Sequence, residues 1–138
     1  ILLGRKTWEI HAAAFEPMAD DDPNEPGFNR MSKYVVSNTL TSADAWRNST
    51  IISGDVVGKI RELKAQDGGD ILVDGSSELV HTLVENGLVD EINLAVYPIV
   101  LGSGKKLFPD GTRINMRLAD ATPVPSGVIM TRYMVDRG

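Results

Sequence analysis

Asp70 to Val80, reading Asp-Ile-Leu-Val-Asp-Gly-Ser-Ser-Glu-Leu-Val, limits the possible folds more than any other stretch. Ile71, Leu72 and Val73 form the short apolar run expected of a strand buried on both faces. Gly75 has no Cβ, so the chain can turn sharply or approach a ligand closely there. Ser76 or Ser77 is placed to cap a following helix through its hydroxyl. The first N–H groups of such a helix and the positive end of its dipole make a site for an anion. The same residues also suit an ordinary strand-to-helix turn, so the surrounding chain has to decide between the two.

Downstream, Leu79, Val80, Leu83, Val84 and Leu88 fall on one helical stripe, with Gly87 as the stop. Ile92, Leu94 and Val96 then alternate as in a strand. Asp70 to Pro98 therefore reads as a βαβ unit, with its strands parallel and its crossover right-handed. Ile99 to Pro109 extends it into a glycine loop. Near the end, Arg117–Ala121 and Gly127–Val135 are strand candidates separated by Pro123 and Pro125, and are expected to form an antiparallel edge.

Upstream, Ile1-Leu2-Leu3 is a further apolar strand ending at Gly4. It starts without a methionine or lead-in, and an N-terminal part is expected to be missing. Arg5, Lys6 and Thr7 follow, with Thr7 as the expected N-cap of a helix carrying Trp8, His11, Ala12 and Phe15 on one face. Two cations beside a helix start make a second anion site, or else two solvated side chains. Glu16 to Arg30 is a polar loop with Pro17, Pro23 and Pro26; its acidic run Asp20-Asp21-Asp22 lacks calcium-loop spacing and reads as solvated. Lys33 to Thr39 is a strand with the polar end Ser37-Asn38-Thr39, and Ser49 to Ile52 is a weaker strand. Gly54 and Asp55 open a helix with Val56, Val57, Ile60 and Leu63 inward, closed by Gly68 and Gly69.

Composition removes several functions. The net charge of −5 disfavours a broad nucleic-acid surface, and the absence of cysteine removes disulfides, thiolate chemistry and cysteine zinc sites. It also favours a cytoplasmic setting. No apolar run approaches the roughly 20 residues of a membrane span. Gly102-Ser103-Gly104-Lys105-Lys106 fails as a Walker A loop, because Ile99 stands where its first glycine belongs and Lys106 where its hydroxyl belongs. Leu107 breaks the dinucleotide fingerprint at the same place. Gly75-Ser76-Ser77-Glu78-Leu79 half-matches a nucleophile elbow, but Leu79 replaces its second glycine. His81 lies only four residues past Ser77 on the same helix, a poor triad geometry, and a serine hydrolase stays a minor alternative. His11 and His81 both read as helix-surface or partly buried residues, without zinc-site spacing. Three strand ends remain, at Gly4, Ser37 and Gly75; in an open α/β sheet such ends converge on a ligand.

Leu3-Gly4-Arg5-Lys6-Thr7-Trp8-Glu9 resembles the strand, Gly-Arg-Lys-Thr, helix signature of dihydrofolate reductases. Lys33–Ser37, Asp70–Ser76, Gly87–Glu91 and Pro98–Phe108, in that order, look like the C-terminal reductase domain of the bifunctional riboflavin-biosynthesis deaminase-reductase and its stand-alone bacterial relatives. The resemblance implies a single dihydrofolate reductase-like domain over residues 1–138: a twisted, mostly parallel sheet with flanking helices and an antiparallel C-terminal edge. It implies NADPH, with Gly4, Arg5, Lys6 and Thr7 on cofactor phosphates, Ser37 and Asn38 near the adenosine 2′-phosphate, and Gly75, Ser76, Ser77, Glu78 and Leu79 cradling the pyrophosphate. It implies hydride transfer to a small pterin-like, riboflavin-precursor-like or carbonyl substrate, and a cytoplasmic homodimer. The alternative within the same fold is a nucleotide-binding module without turnover. Asp74 is a substrate-side candidate, or a turn or cap acceptor. Tyr97 and Leu101 are pocket candidates, for which core packing is the stronger expectation. No proton donor carries over from the family, because the segment that supplies it lies before Ile1.

Overall fold

The structure, a computed structural model, describes residues 1–137. The chain divides into two compact units, Ile1–Thr82 and the part from Leu83 onward. Among the described residues no helix is long and apolar enough to cross a membrane.

The first unit is built on a parallel sheet of β1 (Leu2–Gly4), β2 (Lys33–Val36) and β3 (Ser49–Ile52), in that order. Leu3 lies beside Val35, and Val35 beside Ile51. Along β1's other side runs the stretch that the sequence marks as a strand. Its backbone meets β1 through the bridge Leu2↔Val73, the Leu2 N–H on the Leu72 carbonyl at 2.8 Å, and the Gly4 N–H on the Gly75 carbonyl at 3.1 Å. This corrects the expectation of a strand buried on both faces: Leu72 is 50% exposed. The expected βαβ pairing is also not made, because Val73 bridges β1 whereas the strand after the helix belongs to another sheet.

Two helices fill the connections. α1 (Arg5–Phe15) packs Trp8 and Ala12 into a cluster with Leu3, Val35 and Trp46, flanked by Phe15 and Phe28. It starts three residues earlier than expected, with Gly4 at the N-cap and Thr7 inside the first turn, so Thr7 is not the cap. α2 (Val56–Lys64) buries Ile60 and is capped by the Asp55 carboxylate, which accepts the Gly58 N–H at 2.9 Å. It stops at Ala65, before Gly68 and Gly69: the Ala65 N–H donates to the Arg61 and Glu62 carbonyls, closing the helix without a glycine.

The loop between α1 and β2 is more than a solvated connection. Glu25, Asn29 and Lys33 are buried. The Asn29 amide donates to the Phe15 and Met18 carbonyls and its oxygen accepts the Trp46 indole N–H at 2.6 Å. The Lys33 ammonium donates to the carbonyls of Phe28, Asn29 and Met31 and lies 4.6 Å from the Trp46 ring centre. Burial holds this ammonium below the usual lysine range. Arg47 pairs with Glu16 and Asp20 from outside, and its backbone N–H holds the Glu16 carboxyl below the usual carboxylate range.

α3 (Ser77–Glu85) runs from the first unit into the second, and ends with the Gly87 N–H on the Val84 carbonyl and the Leu88 N–H on the Leu83 carbonyl. Gly87 has φ of 64°, the left-handed turn that a glycine stop requires. The second unit is an antiparallel sheet in the order β4 (Glu91–Val96), β6 (Ile129–Asp136), β5 (Asn115–Pro123). Ile92↔Tyr133, Leu94↔Thr131, Val96↔Ile129 and Leu118↔Tyr133 share one face, while on the other Asn93↔Arg132 and Asp120↔Arg132 lie between Glu91↔Met134 and Ala95↔Met130.

Candidate functional site

In the first unit β1 ends at Gly4, β2 at Val36, and the Val73 segment at Asp74. These run parallel, so all three carboxyl ends lie along one edge of the sheet, where open α/β sheets take ligands.

Two helix starts meet at that edge. A Cβ on Gly4 would stand 2.5 Å from the Ser76 hydroxyl and 3.2 Å from the Ser76 backbone nitrogen. Gly75 has φ of +102°, and a Cβ there would stand 3.2 Å from the Thr7 hydroxyl. The two turns that the sequence offers as separate anion sites are therefore one feature, closed by two glycines facing each other's partners. On one side, α1 has no side-chain cap and no acidic residue in its first turn, so its leading N–H groups and its dipole are not neutralised by its own side chains. On the other, the Val80 N–H is bonded to the Ser76 carbonyl, so the N–H groups of Ser77, Glu78 and Leu79 precede that ladder. The Leu79 side chain is buried, so at this turn Leu79 offers its backbone alone. Glu78 is an acid in the first turn of α3, where it complements the dipole.

Positive charge is held beside this feature. The Arg5 Nε donates to Glu9 and its Nη1 donates to the Thr39 hydroxyl, both at 2.7 Å. Arg5 and Glu9 are each 44% exposed, a pairing worth only about 0.2–1 kcal/mol, which a doubly charged phosphate can outcompete. Lys6 is exposed. The Ser37 and Asn38 side chains are engaged in the turn after β2. The Ser37 hydroxyl accepts the N–H groups of Thr39 and Leu40, and the Asn38 side-chain oxygen accepts the Gly54 N–H at 2.9 Å. They shape the turn after β2 and so bring Thr39 to Arg5. Thr39, marked in the sequence only as part of a polar strand end, and Glu9 join the candidate site; Glu9 was visible as the residue one helical turn after Arg5.

Asp74 has a partner as well. Its carboxylate lies 3.0 Å from the His11 Nε2, while the His11 Nδ1 lies 2.9 Å from the Thr7 carbonyl. The imidazole is set against Phe15, Phe28 and Trp46, with ring centres 5.6, 5.8 and 6.2 Å away. His11 and Asp74 are 63 residues apart, and no local pattern connects them. Tyr97 and Leu101 belong to the other unit and are 64% and 76% exposed, which corrects the expectation of core packing: both lie beyond Val96, the last residue of β4 paired to β6.

A family model described as the RibD C-terminal domain matches residues 1–130. The uncharacterized protein YyaP of Bacillus subtilis (strain 168) is 32% identical over 137 residues, covering 96% of this chain and 72% of that protein. A protein of Shewanella sp. PV-4 assigned to riboflavin biosynthesis shares the fold at a TM-score of 0.75 and 22% identity, covering 99% of this chain and 73% of the other. A pyrimidine reductase-like protein of Corynebacterium diphtheriae shares it at 0.63 and 15%, covering 99% and 75%.

Proposed function

The chain belongs to the RibD C-terminal domain family, whose fold is that of dihydrofolate reductase-like enzymes, and on that premise we propose that it is an NADPH-dependent reductase of a small heterocyclic or carbonyl substrate. The observation that carries the reading is the meeting of two helix N-termini at Gly4 and Gly75, with Arg5 beside them. The donors there are backbone N–H groups and a guanidinium, a set that suits a pyrophosphate and a second, separate phosphate better than a carbonyl or a metal. The residues present therefore fit the cofactor.

In this reading the N–H groups of Ser77, Glu78 and Leu79 hold the pyrophosphate, helped by the start of α1. Gly4 and Gly75 allow the backbones to close around it. Arg5, with Lys6, takes the 2′-phosphate at the turn that Ser37, Asn38 and Thr39 form, and there the site distinguishes NADPH from NADH. Bound NADPH supplies the hydride for a C=N or C=O bond, and the chain contributes orientation and the exclusion of water. A pterin-like or riboflavin-precursor-like compound fits the family, and the reading includes a homodimer in the cytoplasm.

The test is a fluorescence titration of the full-length protein with NADPH and with NADH. NADPH binds more tightly, and Arg5→Ala weakens NADPH by about 1.5–3 kcal/mol while leaving NADH nearly unchanged. A protein that binds neither nucleotide ends the reading. Sedimentation over a range of concentrations tests the dimer, and a monomer throughout removes it.

A further inference from the structure

His11 and Asp74 raise a question that the cofactor site does not answer. Both nitrogens of the His11 ring face oxygen acceptors, the Thr7 carbonyl at 2.9 Å and the Asp74 carboxylate at 3.0 Å. A carbonyl can only accept, so a hydrogen bond to Thr7 requires the hydrogen on Nδ1. A neutral imidazole then has none left for Nε2, and a bare Nε2 facing a carboxylate would set lone pair against lone pair. Both contacts are made only when the pair holds one proton more than a neutral imidazole and a carboxylate together.

Charged groups of the elements that carry the pair and its aromatic neighbours are engaged elsewhere. Arg5 is paired with Glu9 on α1 and Glu16 with Arg47. Lys33, on β2, is spent on three carbonyls. The ring itself is wedged against three aromatic side chains and its own side chain is 19% exposed, whereas Asp74 is 53% exposed. Asp74 ends the Val73 segment next to Gly75, and the Thr7 that anchors the ring also faces Gly75. One side of the pair is fixed and sheltered, and the other opens at the strand-end edge that carries the cradle.

We propose that His11 and Asp74 form a proton-holding pair that supplies the proton accompanying hydride transfer, an inference that rests on the reductase reading. A hydride delivered to the carbon of a C=N or C=O bond moves that bond's electron pair onto the nitrogen or oxygen, which then takes one proton from the pair. What remains is a neutral His11, still donating from Nδ1 to Thr7, and an Asp74 carboxylate. The Nε2 lone pair then faces that carboxylate, which drives the pair to regain a proton from water at the exposed side of Asp74. One hydride and one proton are consumed for each bond reduced.

The experiment combines nitrogen-15 NMR of histidine-labelled full-length protein with kinetics. In the spectrum, both ring nitrogens of His11 are expected to carry hydrogen while Asp74 is in place, and Asp74→Asn is expected to shift Nε2 while Nδ1 stays in place. An Nε2 that carries no hydrogen, or that ignores Asp74→Asn, overturns the proposal without any substrate being needed. NADPH titration of His11→Gln and Asp74→Asn separates this inference from the reading beneath it. Both variants keep the wild-type affinity within about threefold, because neither residue belongs to the cradle. Failure of the wild type to bind NADPH ends the reductase reading, and with it the use assigned to the proton. NADPH oxidation is then followed with a pterin, a ribosylaminopyrimidine and a small ketone. On any compound the wild type reduces, His11→Gln lowers kcat by about a hundredfold with KM little changed and flattens the pH profile. Unchanged kcat in His11→Gln overturns the proposal and leaves the reductase reading standing.

Discussion

Single residues set the tolerances of the site. Gly4 is the sharpest case, because a methyl group there would overlap the Ser76 hydroxyl at 2.5 Å and press on the Ser76 backbone. Gly4→Ala is expected to cost about 1–3 kcal/mol of stability and to weaken NADPH binding more than tenfold, measured by denaturant unfolding and by titration. Lys33 is the corresponding case in the loop. Lys33→Met removes the donor shared by three carbonyls and is expected to cost about 3 kcal/mol in urea unfolding, despite adding an apolar side chain to an apolar cluster. The Gly-Arg-Lys-Thr signature and the Gly75 turn were legible in the sequence because a glycine before a helix start is a local pattern. The pairing of Gly4 with Ser76, of Arg5 with Thr39 and of His11 with Asp74 was not, because each joins positions that only the parallel sheet brings together.

At the scale of elements, caps and clamps decide where helices and loops begin and end. The Asp55 carboxylate caps α2, and Asp55→Ala is expected to lower stability by about 1 kcal/mol in thermal unfolding. The loop after α1 carries a pH dependence of known sign. The Glu16 carboxyl lies below the usual carboxylate range in the folded protein, chiefly through the Arg47 backbone N–H and then through its side chain. In acid the unfolded chain binds its proton first, so the stabilisation is complete above the usual carboxylate range. It is lost as pH falls toward the lowered folded value. Melting temperature measured on acidification is therefore expected to fall more steeply for the wild type than for Glu16→Gln. Strands β1, β2 and β3 and the hairpin of β5 and β6 could be read from apolar runs and proline breaks. The end of α2 and the pinned loop could not, since Ala65 carries no stop signal and the burial of Glu25, Asn29 and Lys33 depends on Trp46.

Across the whole molecule, burial is uneven. The first unit keeps Leu2, Leu3, Val35 and Trp46 almost wholly out of solvent, whereas every residue of β5 is exposed. Hydrogen exchange of the full-length protein is expected to show the slowest amides in β1 and β2 and faster exchange in β5. The second unit nevertheless has an ordered chemistry. The extra residue Ala119, between Leu118 opposite Tyr133 and Asp120 opposite Arg132, reverses the alternation of β5, so that Ala121 and Pro123 continue the apolar face begun by Leu118. Periodicity alone would have put Asp120 on that face, which is why the strand was legible and its sidedness was not.

The meeting of Gly4 and Ser76 also governs how this chain can be changed by design. Position 4 admits a side chain only if position 76 gives up its own, so a library that varies either position singly samples mostly failures. A library that couples Ala at position 4 with Gly at position 76 removes the contact with the hydroxyl and keeps only the milder one with the backbone nitrogen. The two positions are one coupled choice in any search for a nucleotide site of altered preference.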